Sequence, residues 1–238
     1  MTLFAPFYRT DYIGETINNI VDGKTVSYFV KPRENVFTKS KVTSAIVLGN
    51  GITRDCSDNK LLLKINSRKV PQAYKLVYAC NRAIYEEDNY DYYVLKHRVF
   101  LSNVKKDRLP TVYLPNNIFV NNMERCNLIP LVSYMDAGAS AVLLAAFDGH
   151  KKVFMMGFDG DLGKGWQTVY DNTFPYNENK SDFSLDTWKQ HLTMVMTAYK
   201  DTQFYRLRYD GQQAPNEWRA LPNFKDVSMR EAVLLGDF

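Results

Sequence analysis

The sequence predicts an open three-layer α/β fold, with a mostly parallel sheet between two layers of helices. Three observations predict it. From residue 43 onward, short apolar runs rich in Val, Ile and Leu alternate with helix-like stretches. Several of these runs end on Gly, Asn or a cation, the residues that open loops at strand ends. Two segments, 139–148 and 185–199, have the composition and spacing of helices that cover a sheet. Strands that alternate with helices pair in parallel through right-handed crossovers. The predicted class is therefore a Rossmann-like three-layer sandwich over 42–238, with residues 1–41 as a short N-terminal extension.

Each element has its own signal. In the extension, Asp22-Gly23-Lys24 marks a turn and TVSYFVK (25–31) reads as a short strand. Phe4, Phe7 and Tyr8 can anchor an arm on the body or on a partner subunit. Pro32 and the charged stretch after it mark the boundary. The first strand of the main domain spans 43–48 and stops at Gly49-Asn50-Gly51; helical material follows over 59–66. KLVYA (75–79) is the second strand, ending at Cys80-Asn81-Arg82. YYVL (92–95) is the third, ending at Lys96-His97, and a further apolar stretch covers 111–114. ASAVLLAAFD (139–148) is an Ala/Leu-rich helix, with Gly149 where a C-terminal cap belongs. KVFMM (152–156) is a strand that leads into Gly157-Phe158-Asp159-Gly160 and a polar, Gly-rich loop over 160–182. LDTWKQHLTMVMTAY (185–199) is an amphipathic helix capped by Ser184 or Asp182. A last strand at 204–207 leads into a polar tail.

The bulk composition excludes several classes. A 45% hydrophobic, 24% charged chain has the balance of a soluble globular domain. Its net charge of +4 comes without any run of five like charges, so a nucleic-acid-binding tail is not indicated. The cysteines are odd in number, Cys56, Cys80 and Cys126, and none form a CxxC pair; neither a disulfide framework nor a structural zinc site is expected. No apolar run is long enough to span a membrane, and the first residues lack the basic-then-apolar pattern of a secretory signal. The expectation is a cytoplasmic protein.

The candidate site lies at the strand ends. Gly49-Asn50-Gly51 after a buried strand would bring bare backbone N–H groups to the carboxyl edge of the sheet, where phosphates and nucleotides bind. Gly49 and Gly51 would allow positive φ and close approach of a ligand; Asn50 would add an amide, Thr53 a hydroxyl and Arg54 a cation. Asn81, Lys96 and His97 follow neighbouring strands and would line the same crevice. Asp136 before the 139–148 helix reads as its N-cap, while Gly138 would let a carboxylate or phosphate reach the helix N-terminus. Asp159 and Asp161 can act as a base or hold a divalent cation. His97, His150 and His191 are too scattered for a metal site; His150, in a Gly-His-Lys-Lys turn, is expected to be exposed. His191 reads either as a packed helix histidine or as one facing the cleft. Tyr170, Phe174 and Tyr176 suit a lid over the sheet edge, or the anchoring of a long loop.

Together these motifs resemble the bacterial sialyltransferases of glycosyltransferase family 42. They also resemble a related family of unknown-function proteins that includes an archaeal hydroxymethylpterin pyrophosphokinase. Gly49-Asn50-Gly51-Ile52-Thr53-Arg54 stands where the first family has Gly-Asn-Gly-Pro-Ser-Leu, and Cys80-Asn81-Arg82 where it has Cys-Asn-Gln. Gly138 is followed by Gly149-His150-Lys151-Lys152 and a strand ending at Asp159, in the order and spacing of the family's Thr-Ser-Gly, Gly-Tyr-Lys-Glu and Gly-Ile-Asp. The resemblance covers about 45–210. It implies nucleotide contacts from Asn50, Thr53 and Asn81, and a phosphate or sugar acid near Asp136, Ala137 and Gly138. It also implies leaving-phosphate contacts from Tyr170 or Tyr176, no required metal, and a possible homo-oligomer. Asp136-Ala137 stands where the family has Thr-Ser, and the added charge repels an anionic donor such as CMP-sialic acid. A neutral sugar donor, or a metal bridging Asp136 and a phosphate, fits better. The family's histidine before the late helix has no counterpart at 182–184, and His191 lies about two turns further on.

The reading is a glycosyltransferase that moves a sugar from a nucleotide-activated donor to a hydroxyl of a glycan, a small molecule or a modified DNA base. Its nucleotide site would comprise Gly49, Asn50, Gly51, Thr53, Arg54, Asn81, Lys96, Asp136, Gly138 and Tyr176. Its catalytic candidates are His191, Asp159, Asp182 and Tyr170. No cofactor is required by this reading. Two alternatives stand beside it: a phospho- or pyrophosphotransferase using Mg²⁺ at Asp136, Asp159 and Asp161, and a non-catalytic nucleotide-binding or assembly module.

Overall fold

A computed structural model describes residues 7–32, 42–67, 74–86, 90–131, 134–159, 169–170, 184–208 and 213–236. The chain opens with an arm that leads into strands β1 (Glu15–Val21) and β2 (Lys24–Val30), an antiparallel two-stranded sheet. Their connection, Asp22-Gly23, has positive φ at both residues (51° and 73°), the geometry of a two-residue hairpin turn that follows the right-handed strand twist. The main domain then runs β3 (Ser44–Leu48), α1 (Ser57–Ser67), β4 (Leu76–Cys80), β5 (Tyr92–Val94), β6 (Val112–Leu114), α2 (Asn116–Phe119) and β7 (Asn127–Leu128). It continues α3 (Ala137–Phe147), β8 (Lys152–Met156), α4 (Leu185–Ala198), β9 (Gln203–Leu207), α5 (Asn216–Arg219), β10 (Phe224–Val227) and α6 (Met229–Gly236).

The eight main-domain strands form one sheet in the order β10-β9-β8-β3-β4-β5-β6-β7, with every neighbour parallel. The predicted α/β Rossmann-like class is what the protein adopts. β3 and β4 are buried along their whole length, because a parallel sheet is covered on both faces and its inner strands need apolar residues at every position. Strand alternation divides the core. Ala45, Val47, Tyr78, Val153 and Met155 face α3 and α4, while Ile46, Leu48, Val77, Phe154 and Met156 face α1, α2 and α6. α3 lies between the sheet and α4 and is buried nearly all round, which explains why its sequence has no polar face.

Several expectations need correction. The stretch after β9 is not a polar tail: it forms α5, β10 and α6, and β10 adds an edge strand beside β9. β1 and β7 were also not expected. The helix read at 139–148 starts at Ala137, with Asp136 as N-cap as one reading required. Gly149 is left-handed at φ +90° just past that helix, and Ser184 caps α4.

The arm packs on the body. Tyr8 stacks edge-on against Tyr199, whose hydroxyl donates to the Phe7 carbonyl at 2.8 Å. Arg9 is buried against Asp148 (2.6 Å) and the Tyr113 hydroxyl (3.0 Å). Asp148 also accepts from the Tyr78 hydroxyl at 2.6 Å, and Tyr78 lies 3.0 Å from His150 Nε2. His150 was expected to be exposed; it is 3% exposed in this cluster, and burial holds its pKa below the usual imidazole value. No helix among the described residues is long and apolar enough to cross a membrane.

Candidate active site

β3 lies where the sheet order turns. The chain lays β4 to β7 on one side of it and β8 to β10 on the other. Connections that leave in opposite directions open a crevice at the carboxyl ends of the strands. The loops after β3 and β8 meet at this crevice. Gly49 N–H donates to Met156 O at 2.8 Å and Gly51 N–H to Gly157 O at 2.9 Å. A Cβ on Gly49 would lie 2.4 Å from Gly157 O, and one on Gly51 would lie 2.5 Å from Asp159 Oδ2. Close approach of the β8 loop, not the room for a ligand that the sequence suggested, is why both are glycine. Positive φ is not the reason: Gly51 is extended at φ −65°, and the left-handed residue is Gly157 across the crevice at φ +73°.

Thr53 and Arg54 sit on the short 3-10 turn Ile52–Asp55, and both are buried. Asp159 accepts from Thr53 N–H at 2.8 Å and from the Thr53 hydroxyl. Burial raises the Asp159 pKa above the usual carboxylate value, opposed by the Thr53 hydrogen bonds and by Arg206. Arg54 Nη2 donates to Glu86 and, at 2.9 Å, to the Tyr170 hydroxyl, which itself donates to Glu86. The Arg54 and Arg82 guanidiniums lie 5.1 and 5.6 Å from the Tyr170 ring centre. Val169 N–H donates to Asn50 O at 2.9 Å, which ties Tyr170 down over the β3 loop. Arg54 Nη1 is buried and has no hydrogen-bond partner among the described residues.

The other side of the crevice is built by β4, β5 and α3. Asn81 ends β4 at φ +47°, and its Oδ1 accepts from Lys96 N–H at 3.1 Å, joining the ends of β4 and β5. Burial lowers the Lys96 pKa to about 8, with Asp136 acting in the opposite direction. The Cys80 thiol donates to Ala137 O at 3.4 Å, and burial pushes its pKa up, with the Asp136 charge adding to the shift. Asp136 caps α3: Oδ1 accepts from Ala139 N–H at 2.8 Å. Its Oδ2 lies 3.2 Å from His191 Nδ1. Gly138 leaves room beside Phe158, whose ring would be 3.2 Å from a Cβ there.

The structure therefore draws Gly49, Asn50, Gly51, Thr53, Arg54, Asn81, Lys96, Asp136, Gly138, Asp159, Tyr170 and His191 to the carboxyl end of the sheet. Tyr176, Asp182 and Asp161 lie outside the described residues, as does Phe174. His97 is exposed at the cleft side of β5, and His150 lies at the opposite end of α3. Three residues of the site were not read from the sequence. Glu86 orders Arg54 and Tyr170; its only sequence signal is the acidic run EED after the Asn81 loop. Arg206, on β9, donates to Asp226 at 2.6 Å and to Phe158 O at 3.3 Å, and so backs the β8 loop. Cys80 was read only as a strand end. Among the described residues no three His, Cys, Asp or Glu side chains converge in a metal-binding cluster. Asp159 and Asp136 Oδ1 accept from protein N–H groups instead, and Asp136 Oδ2 faces His191 Nδ1.

No family model matches the chain, and no curated protein matches it. Solved structures do. The monofunctional α-2,3-sialyltransferase Cst-I from Campylobacter jejuni aligns with a TM-score of 0.51 at 17% identity, covering 81% of this chain and 85% of that one. An α-2,3-sialyltransferase from Campylobacter jejuni in apo form aligns at TM-score 0.45 and 16% identity, over 76% and 80% of the two chains. The sialyltransferase CST-II in complex with a trisaccharide acceptor and CMP aligns at 0.44 and 16%, over 76% and 86%. The chain is thus similar in fold to the Cst-I sialyltransferase, across most of both lengths.

Proposed function

We propose that this protein is a glycosyltransferase-like enzyme that takes a sugar from a nucleotide-activated donor. The observation that carries the reading is Arg54. A guanidinium nitrogen is buried at the switch point of a parallel sheet with no partner among the described residues. A buried donor left unmade costs about 1–3 kcal/mol, more for a charged group. A phosphate reaching the crevice supplies the missing acceptor, at the strand edge where such folds hold nucleotides. Thr53, Arg54 and Tyr170 would then steady the leaving phosphate, and Asn50 and Asn81 the nucleotide.

Similarity in fold to a sialyltransferase supports the same reading without naming the donor. Asp136 argues for a sugar without a carboxylate. Its own oxygen already takes the α3 N-terminal amide of Ala139, and a second anion there meets like charge. His191 would serve as the base toward a hydroxyl of a glycan or small-molecule acceptor.

A thermal-shift screen against CMP, CDP, UDP, GDP, ADP, ATP and their sugar conjugates, with and without Mg²⁺, tests this. A ligand at a hundredfold excess over Kd adds about 2.7 kcal/mol, which reads as several degrees in a domain of this size. A shift with one nucleotide and its sugar conjugate, lost in Arg54→Leu, is the expected result. A shift with ATP that needs Mg²⁺ replaces the reading with phosphoryl transfer. No shift with any nucleotide at millimolar concentration overturns it in favour of a non-catalytic module.

A further inference from the structure

The Asp136 carboxylate serves two elements at once. Oδ1 accepts from Ala139 N–H at 2.8 Å and starts α3; Oδ2 faces His191 Nδ1 at 3.2 Å and reaches α4. The same nitrogen lies 3.3 Å from the Asp136 backbone N–H. His191 Nδ1 therefore faces two neighbours with opposite demands: the carboxylate calls for a proton on Nδ1, the backbone N–H for a lone pair. Both side chains are largely buried, 9% and 14% exposed, so water does little to relax the contest. A lone pair on Nδ1 would point at a carboxylate oxygen in a poorly solvated site, whereas a proton there makes a charge-assisted hydrogen bond. The carboxylate wins. Tyr134 packs edge-on against the imidazole, ring centres 5.9 Å apart, and helps set its plane. Lys96, at the end of β5, lies within electrostatic reach of Asp136.

We propose that Asp136 is a positioning residue: it holds the proton on His191 Nδ1 and so places the lone pair on Nε2, where His191 acts as the general base. This inference rests on the glycosyl-transfer reading given above. In the step, the acceptor O–H gives its proton to Nε2 and its oxygen forms the new bond to the sugar's anomeric carbon. The bond from that carbon to the donor phosphate breaks, and the nucleotide leaves with the electron pair. The imidazolium left behind sits against the Asp136 carboxylate until the proton departs. The neighbouring signals are independent of one another: a helix cap fixes one oxygen, and packing of α3 on α4 brings the histidine to the other.

The tautomer is directly measurable without any substrate. Long-range ¹H–¹⁵N spectra of the ¹⁵N-labelled full chain show three imidazoles, and His191→Gln identifies the one that belongs to His191. The expected wild-type pattern has the proton on Nδ1. Asp136→Asn keeps an oxygen to cap α3 but turns an amide N–H toward His191, so the pattern should flip to Nε2–H while the melting temperature changes little. A wild-type His191 protonated on Nε2 alone overturns the proposal, whether or not the variant folds. So does an unchanged tautomer in a folded Asp136→Asn protein. Once the nucleotide screen has named a donor, Asp136→Asn should lower kcat by about 10²- to 10⁴-fold with KM within a few-fold of wild type. Wild-type kcat in that variant overturns the role in catalysis. Failure of the nucleotide screen instead removes the transfer reading and leaves the spectra to stand on their own.

Discussion

Lys96 shows how a single buried residue gives the crevice a pH dependence. Burial lowers its pKa to about 8, well below that of the unfolded chain. The ammonium is therefore the main form below about pH 8 and is lost as pH rises through that value. An anion held by Lys96 should bind about tenfold more weakly at pH 9 than at pH 7, the scale of one charge-assisted hydrogen bond. Titration calorimetry with the nucleotide that wins the screen measures it, and Lys96→Met should flatten the curve. Stability runs the other way: the unfolded chain holds this proton up to a higher pH than the folded one, so Lys96 destabilises less as pH rises above about 8. At this scale the sequence was informative for residues whose role is local. Asp136 as a cap could be read from its neighbours; Gly49 and Gly51 read as room for a ligand, whereas the β8 loop is what approaches them. His150 could not be read from its neighbours: a Gly-His-Lys-Lys turn reads as surface, and only the fold brings the Tyr78 ring and hydroxyl against it. Glu86 and Arg206 were equally silent, because each acts on a loop that is distant in sequence.

Between elements, the junction of the β3 and β8 loops is the most constrained contact. Both glycines of the β3 loop approach Gly157 backbone, which cannot rotate away as a side chain can. Gly49→Ala should therefore cost about 3 kcal/mol and abolish nucleotide binding. Gly149→Ala is the control. Gly149 has φ +90° but nothing within 4 Å of an added Cβ, so only conformational strain of about 1–2 kcal/mol is expected. Chemical denaturation of the two variants compares them; equal losses would contradict the close-approach account. The inner elements were legible because burial on both faces forces apolar runs, as in SAIVL, LVYAC and KVFMM. The outer ones were not. β10 reads FKDV, with two charges at the sheet edge, and β1 reads ETINNIV, where Ile17 alone is buried. Edge strands need little apolar content, so their sequences resemble loops.

At the scale of the whole molecule, a buried ion pair helps to fasten the arm. Arg9 and Asp148 are 7% and 2% exposed, and Arg9→Met strands the Asp148 charge. The loss should be about 3 kcal/mol, or roughly 6–12 °C in melting temperature. The double variant Arg9→Met, Asp148→Asn should recover part of it, because the unpaired charge is gone; calorimetry of both proteins decides. The same far-end cluster leaves the crevice untouched, so nucleotide shifts should survive in Arg9→Met.

The strand order has a further consequence, for the birth of the protein. β4 follows β3 closely along the chain, but the other neighbour of β3 is β8, and the partner of Ser44 is Lys152, more than a hundred residues on. A ribosome-held chain that ends before β8 carries a central strand with one bare, apolar edge. The crevice has only one wall at that stage, since Gly157 and Asp159 have yet to emerge. Long-range parallel pairing is slow, and a half-made sheet of this kind is open to wrong partners. The nascent chain should therefore depend on chaperone shielding until residue 156 has left the exit tunnel, and ligand-binding competence should appear late in synthesis and all at once.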